Sequence, residues 1–281
     1  MLDKISQLAE QVARIVSRRK LLCLSLAVIV TTLGIADDGQ RGRRMLIDNF
    51  NDGDHEGWTE LDFTTPGDGG PAIYDASSGA LRVRSAGAIP ITDPAAGAMN
   101  ASWEASRIEP KFGNGVVRGT VRANTEETTA GYLLRANTDP GSDHDYGFFG
   151  SSSFGTFYIE RFDLNAASPQ TILAMADPDE HPFVAGIDYW FEAGVQDDRI
   201  WMRAWPVGAR RPGRPTLVVR DDTFGPEDGT LLSVLAFFDP AAVGADAIHV
   251  DATFDDITFK PLRPRNDNEQ NEADDDAREE D

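Results

Sequence analysis

The sequence predicts an all-β protein, a sandwich or barrel of short strands, preceded by an N-terminal signal or anchor helix and followed by a disordered acidic tail. Three observations lead there. Between the two ends the apolar pattern repeats every second residue, the spacing that puts alternate side chains on opposite faces of a strand. Clusters of Gly, Pro, Asn and Asp punctuate it, as the turns of sandwiches and barrels require. After residue 45 no stretch has the spacing of an amphipathic helix.

The N-terminus reads as an address. Leu21 to Ala36 is an apolar run of sixteen residues after Arg18-Arg19-Lys20, short against the roughly twenty that span a bilayer. It suits the h-region of a secretory signal, with Gly34-Ile35-Ala36 as a small-residue cleavage site. Ser17-Arg18-Arg19-Lys20-Leu21-Leu22 resembles the twin-arginine export motif, with Leu21 where Phe is usual. An uncleaved signal anchor is the other reading, because Leu2, Ile5, Leu8, Val12 and Ile15 have helical spacing. Both place the globular part outside the cytoplasm: periplasmic, cell-surface or extracellular. Residues 1–36 are thus leader or anchor, 37–44 a linker, 45–264 one sandwich domain, and 265–281 the tail.

Strands follow in order. Ala80–Arg84 alternates apolar and basic, and Gly115–Ala123 and Gly131–Ala136 each have one apolar face. Tyr146–Phe149 and Thr156–Phe162 continue the pattern. Tyr189–Val195 and Arg199–Trp205 flank Gln196-Asp197-Asp198, a hairpin by spacing and turn chemistry. Thr216–Arg220, Leu231–Phe238, Ala247–Ala252 and Phe254–Lys260 complete the set. From Asn266 onward only alanine is apolar, too little to offset ordering entropy by burial.

Charge narrows the partners. The chain carries −21 overall; Met1–Arg44 contributes +4 and Arg265–Asp281 −7, so Met45–Pro264 holds −18. Such a body repels phosphate backbones and anionic membranes, which excludes nucleic acid as an expected partner. Membrane contact is expected only through an uncleaved N-terminal segment. The one cysteine, Cys23, lies in the leader, so the body has no disulfide, thiolate metal site or cysteine nucleophile.

Several stretches together resemble the concanavalin A-like lectin/glucanase superfamily, in particular bacterial laminin-G-like modules. Ile47-Asp48-Asn49-Phe50-Asn51-Asp52-Gly53 with Gly57-Trp58 looks like the opening strand and turn of such modules. Ala130–Ala136 and Asp145–Phe149 are similar to their central strand pair. Tyr189–Glu192 through Arg203–Gly208 resembles the hairpin in which a tryptophan ends the second strand, and Thr253–Phe259 looks like the closing strand. The resemblance implies a two-sheet antiparallel jelly-roll sandwich whose first and last strands are antiparallel neighbours, on a fold that hosts lectins, hydrolases and adhesion modules alike.

That neighbourhood would gather Asp48, Asp52, Asp255 and Asp256, a carboxylate set for a structural calcium ion, which wants six to eight oxygens. Asx turns at strand ends would use the same residues. The loop Asp139–Asp145, with His144, is a second acidic turn. For a sugar, aromatic platforms and hydrogen-bonding side chains are wanted. Trp205, Tyr146 and Arg135 are the candidates, with Trp205 expected to be exposed at its strand end beside Pro206, and Trp201 on a strand that could share their sheet. Trp58, Trp103 and Trp190 are assigned to packing.

Catalysis by paired carboxylates finds less support. The hydrolytic branch of the resembled family places its acids as Glu-x-Asp-x-x-Glu on one strand, and no such run occurs. Glu104, Glu109, Glu160 and Glu192 are isolated, with Glu160 and Glu192 at polar-out positions of alternating strands. The expectation is an exported, non-catalytic module for carbohydrate binding or cell-surface adhesion. A glycoside hydrolase or lyase of the same fold is the alternative.

Overall fold

The computed structural model describes residues 43–62, 72–90, 102–107, 109–138, 142–238 and 247–264. The leader, most of the linker, the acidic tail and residues 139–141 of the acidic turn lie outside them, as does the Trp103 side chain. The compact body begins at Arg44. Every regular element described is a strand: β1 (Met45–Asp48), β2 (Thr59–Asp62), β3 (Ala72–Asp75), β4 (Leu81–Ser85), β5 (Ile89–Pro90), β6 (Ser102–Arg107), β7 (Gly115–Ala123), β8 (Thr128–Asn137), β9 (His144–Ser151), β10 (Thr156–Asp163), β11 (Gln170–Met175), β12 (Tyr189–Gln196), β13 (Arg199–Pro206), β14 (Leu217–Arg220), β15 (Leu231–Phe238), β16 (Ala247–Ile248) and β17 (Asp251–Pro261). Among the described residues no helix is long and apolar enough to cross a membrane.

Two antiparallel sheets form the sandwich. One runs β14-β13-β12-β7-β17-β4-β3, with β1 also paired to β17; the other runs β11-β10-β9-β8-β15-β6-β2. Long-range pairing dominates: β17 lies against β7 on one side, and against β4 and then β1 on the other. A bulge between Asp255 and Thr258, where Asp256 takes φ 52°, separates those two partners. The alternation in the sequence predicts two strands here, broken at Thr253. The bulge instead lets one strand bend and continue.

The alternation puts Val117, Val121, Phe191, Ala193 and Met202 of the eight-stranded sheet opposite Tyr132, Phe148, Phe157, Ile159 and Val234 of the other. Tyr132 and Phe157 meet Phe191 edge-to-face at 6.3 and 5.6 Å. Each such aromatic contributes about 1.5–3 kcal/mol by burial. The hairpin is as read: Gln196 pairs with Arg199 across Asp197-Asp198, and Asp197 takes φ 54°. Five strands went unread: β2, β3, the two-residue β5, β6 and the edge strand β11.

The seven-stranded sheet is also apolar on its other face. Leu133, Phe149, Tyr158 and Phe237 form a second cluster there, at most 5% exposed, with Phe154, Leu231 and Leu235 against it.

Candidate functional site

The outward face of the seven-stranded sheet gathers carboxylates and hydroxyls around that second cluster. Register defines its rows. Glu160, Gly147, Leu133, Ser233, Ser106 and Thr59 run across β10, β9, β8, β15, β6 and β2. The next row is Tyr158, Phe149, Gly131, Leu235, Glu104 and Leu61. Asp145 lies on the same face one row to the other side, opposite Phe162 and diagonal to Glu160. Gly147 is required in this surface, because the Phe149 ring lies over it, 2.2 Å from where a Cβ would stand.

All three carboxylates are nearly closed to water: Glu104 is 3%, Glu160 5% and Asp145 7% exposed. Ser106 Oγ donates to Glu104 Oε1 and meets Ser233 Oγ at 2.9 Å. Burial raises the Glu104 carboxyl above its usual range, against those hydroxyl bonds and with help from Asp143. Gln170 Nε2 donates to Glu160 Oε2 at 2.7 Å. Asp145 has no such support: its Oδ1 is buried without a hydrogen-bond partner among the described residues. Burial pushes its carboxyl well up, and Glu160, Glu104 and Asp143 add repulsion.

Beside this closed centre the face opens into a pocket of about 330 Å³, lined among others by Thr59, Ser106, Asn137, Asp228, Thr230 and Leu231. That is the small end of the range for ligand pockets, roughly 300–1,000 Å³. Hydroxyl, amide and carboxyl groups around an aliphatic wall suit a small, hydroxyl-rich ligand.

The residues singled out from sequence lie elsewhere, and on different sheets. Tyr146 and Arg135 belong to the seven-stranded sheet but turn inward, both 0% exposed. Parity accounts for Tyr146: Asp145, Gly147 and Phe149 take the outer face, so the residues between them face the core. Its hydroxyl donates to Asp221 Oδ1 at 2.7 Å and accepts from Phe224 N at 3.1 Å. Burial raises it above the ordinary tyrosine range. Arg135 sits at a register shift with φ 51°, which turns its guanidinium to Phe224 O and to Asn114 Oδ1 at 2.6 Å. Burial lowers its pKa.

Trp205 and Trp201 are on the outer face of the eight-stranded sheet. The exposure expected of Trp205 is absent: it is 4% exposed, beside Trp190 at 6.4 Å with the rings 25° apart. Arg118 covers both, its guanidinium 4.4 Å from Trp190 and 5.2 Å from Trp205. Trp190, expected in the core, is thus on the outside, while Trp58 packs on Phe50 at 6.0 Å.

The carboxylate set at the chain ends is partly assembled. Pairing of β1 with β17 sets Asp48 opposite Ile257, close to Asp255 and Asp256. However, Asp48 is engaged: Oδ1 accepts from Phe50 N at 2.9 Å, and Oδ2 from Trp58 Nε1 at 2.9 Å and Arg107 Nη1 at 3.3 Å. Asp52 forms an Asx turn with Asp54 N, and Asp255 Oδ1 accepts from Asp256 N at 2.6 Å. Burial raises Asp255, with Asp256 and Asp48 adding repulsion. Among the described residues no three His, Cys, Asp or Glu side chains are grouped to hold an ion.

No protein-family model matches the chain, and no curated protein does. Solved structures do. The chain is similar to the Bacillus licheniformis beta-glucanase at 11% identity and TM-score 0.50, covering 80% of this chain and 100% of that one. It is similar to the catalytic domain of an endo-1,3-beta-glucanase (laminarinase) from Thermotoga petrophila at 10% identity and TM-score 0.51, with the same coverage. A carbohydrate-binding module from Bacillus subtilis aligns at 11% identity and TM-score 0.44, over 73% of this chain and 95% of that one. At such identities the likeness establishes architecture alone: the chain has the jelly-roll sandwich fold of these glucanases.

Proposed function

We propose that the protein is an exported, non-catalytic carbohydrate-binding module that takes a neutral sugar in the pocket beside Ser106 and Asn137. The observation that carries this reading is the division of the outer face of the seven-stranded sheet. Glu104, Glu160 and Asp145 are sealed at 3–7% exposure, whereas the open pocket, in whose lining Asp228 is the one carboxylate, presents hydrogen-bonding groups around Leu231. A hydrolase must bring two carboxyl groups to the scissile bond, and acids closed to water do not reach one. The glucanases that share the fold make carbohydrate the natural ligand class, and the leader-like N-terminus supports export.

Asp145 and Glu160, diagonal neighbours on one face, are the observation that favours the hydrolase alternative. A glycan array, read beside reducing-sugar release on the same glycans, separates the two. Binding without release, weakened by Asn137→Ala, is expected. Release abolished by Glu160→Gln would transfer the reading to hydrolysis, and absence of any bound glycan would end it.

A further inference from the structure

The outer face of the eight-stranded sheet carries an uneven cluster of charges. Arg203, Glu192 and Arg118 lie in one cross-strand row of β13, β12 and β7, followed by Thr258 and then Leu46 on β17 and β1. Arg211 reaches into the row from the loop after β13, its Nη2 2.7 Å from Glu192 Oε1 and its Nε 3.2 Å from Oε2. Arg203 Nη1 bonds the same Oε1. Arg44 comes in beside β1, with Nη1 on Thr258 Oγ1 at 3.1 Å and Nη2 3.8 Å from Glu192 Oε2. Glu192 is thus one carboxylate, 4% exposed, among four guanidinium groups. The patch is locally positive by three on a chain whose net charge is −21.

Not all of these cations are satisfied. Arg118 stacks on the Trp190 and Trp205 indoles, which hold its plane, and its Nε is buried without a hydrogen-bond partner among the described residues. Arg44 donates to Thr258 Oγ1 but reaches Glu192 only at 3.8 Å. Burial lowers the pKa of Arg44, and Arg118 and Arg211 lower it further against the pull of Glu192. Burial likewise lowers Arg203, with Arg211 among the opposing charges. Mutual repulsion of this kind is relieved by an added anion.

We infer that this patch is a binding site for the carboxylate of an acidic sugar, in a uronate-bearing glycan, with Arg44, Arg118 and Arg211 as the groups that hold it. A carboxylate matches the planar guanidinium fork, and Glu192 already displays that pairing within the protein. The flanks suit a sugar ring: half-buried Trp190 on one side and Leu46, 59% exposed, on the other. The acidity of the rest of the molecule disfavours a densely charged phosphate polymer but tolerates a glycan with widely spaced charges.

The test is calorimetric titration of the full chain with tetragalacturonate and with its methyl ester, which keeps the rings and removes the charge. The acid should bind at least about tenfold more tightly than the ester, and Arg211→Gln should weaken it about five- to tenfold. Arg118→Gln should act similarly, while Lys260→Gln, farther along the same face, should leave affinity within about twofold. Arg211 is 48% exposed in its side chain and lies in a loop, so its variant tests the site even where Arg118→Gln unfolds the protein. Equal binding of acid and ester, full affinity in Arg211→Gln, or no binding of the acid would each overturn the inference. Neutral-glycan binding through Asn137 is on the other sheet and should be unchanged in Arg211→Gln, so the two proposals fail separately.

Discussion

Asp145→Asn should stabilise the protein, and only above the ordinary carboxyl range. Native Asp145 is buried, unpartnered at Oδ1 and surrounded by Glu160, Glu104 and Asp143, so its carboxyl titrates well above the usual value. Between about pH 4, where an unfolded aspartate ionises, and that raised value, the native state keeps a proton that the unfolded chain has released. Stability therefore falls as pH rises through this window. Beyond it the fold contains a buried charge without a partner. An unsatisfied buried polar group costs about 1–3 kcal/mol; asparagine keeps the shape and removes the charge. At about pH 7.5 the variant should gain on the order of 1–3 kcal/mol, roughly 2–4 °C in Tm per kcal/mol for a domain of this size. Below about pH 4 the gain should vanish, since both carboxyl states are then neutral. Urea melts of the two proteins across that pH range provide the measurement. A destabilised variant at neutral pH, or a gain that does not change with pH, would refute the reasoning.

Asp48→Ala should cost about 1–3 kcal/mol in urea melts, because Trp58 Nε1 and Phe50 N lose a buried acceptor; tryptophan emission should shift with it. Gly194→Ala should cost about 1–3 kcal/mol by overpacking, since the Trp201 ring lies 2.3 Å from the position of the new Cβ. EDTA and added calcium should each leave Tm within about 1 °C, as Asp48 has both oxygens occupied by protein donors. A rise of several degrees with calcium would restore an ion near Asp255.

Period-two alternation made the central strands and the Tyr189–Trp205 hairpin legible, because each buries one face and breaks at a turn residue. It could not reveal strands whose outward side chains are polar yet buried. β6 reads SWEASR, and Glu104 and Ser106 look solvated until the second apolar cluster is seen beside them. The same assumption treated Glu160 and Glu192 as surface positions. They do point outward, but one lies in that cluster and the other under arginines brought from β13, the loop after it and the β1 side of the sheet. Tyr146 and Arg135 were misjudged for a different reason. Facing depends on parity along the strand, and the bulge at Arg135 resets it. The pocket at Ser106 and Asn137 joins β2, β6, β8 and the loop before β15, a meeting that no local pattern records.

The position of β17 has a consequence for biosynthesis. Asp251–Pro261 is the strand to which β7, β4 and β1 all bond, and it is translated after every one of them. A nascent chain that has not passed Pro261 can form its local hairpins, but its eight-stranded sheet lacks the centre that links β7 to β4 and β1. Assembly of that sheet therefore waits until Asp251–Pro261 has been made. Until then the edges of β7, β4 and β1 that it joins lack their partner.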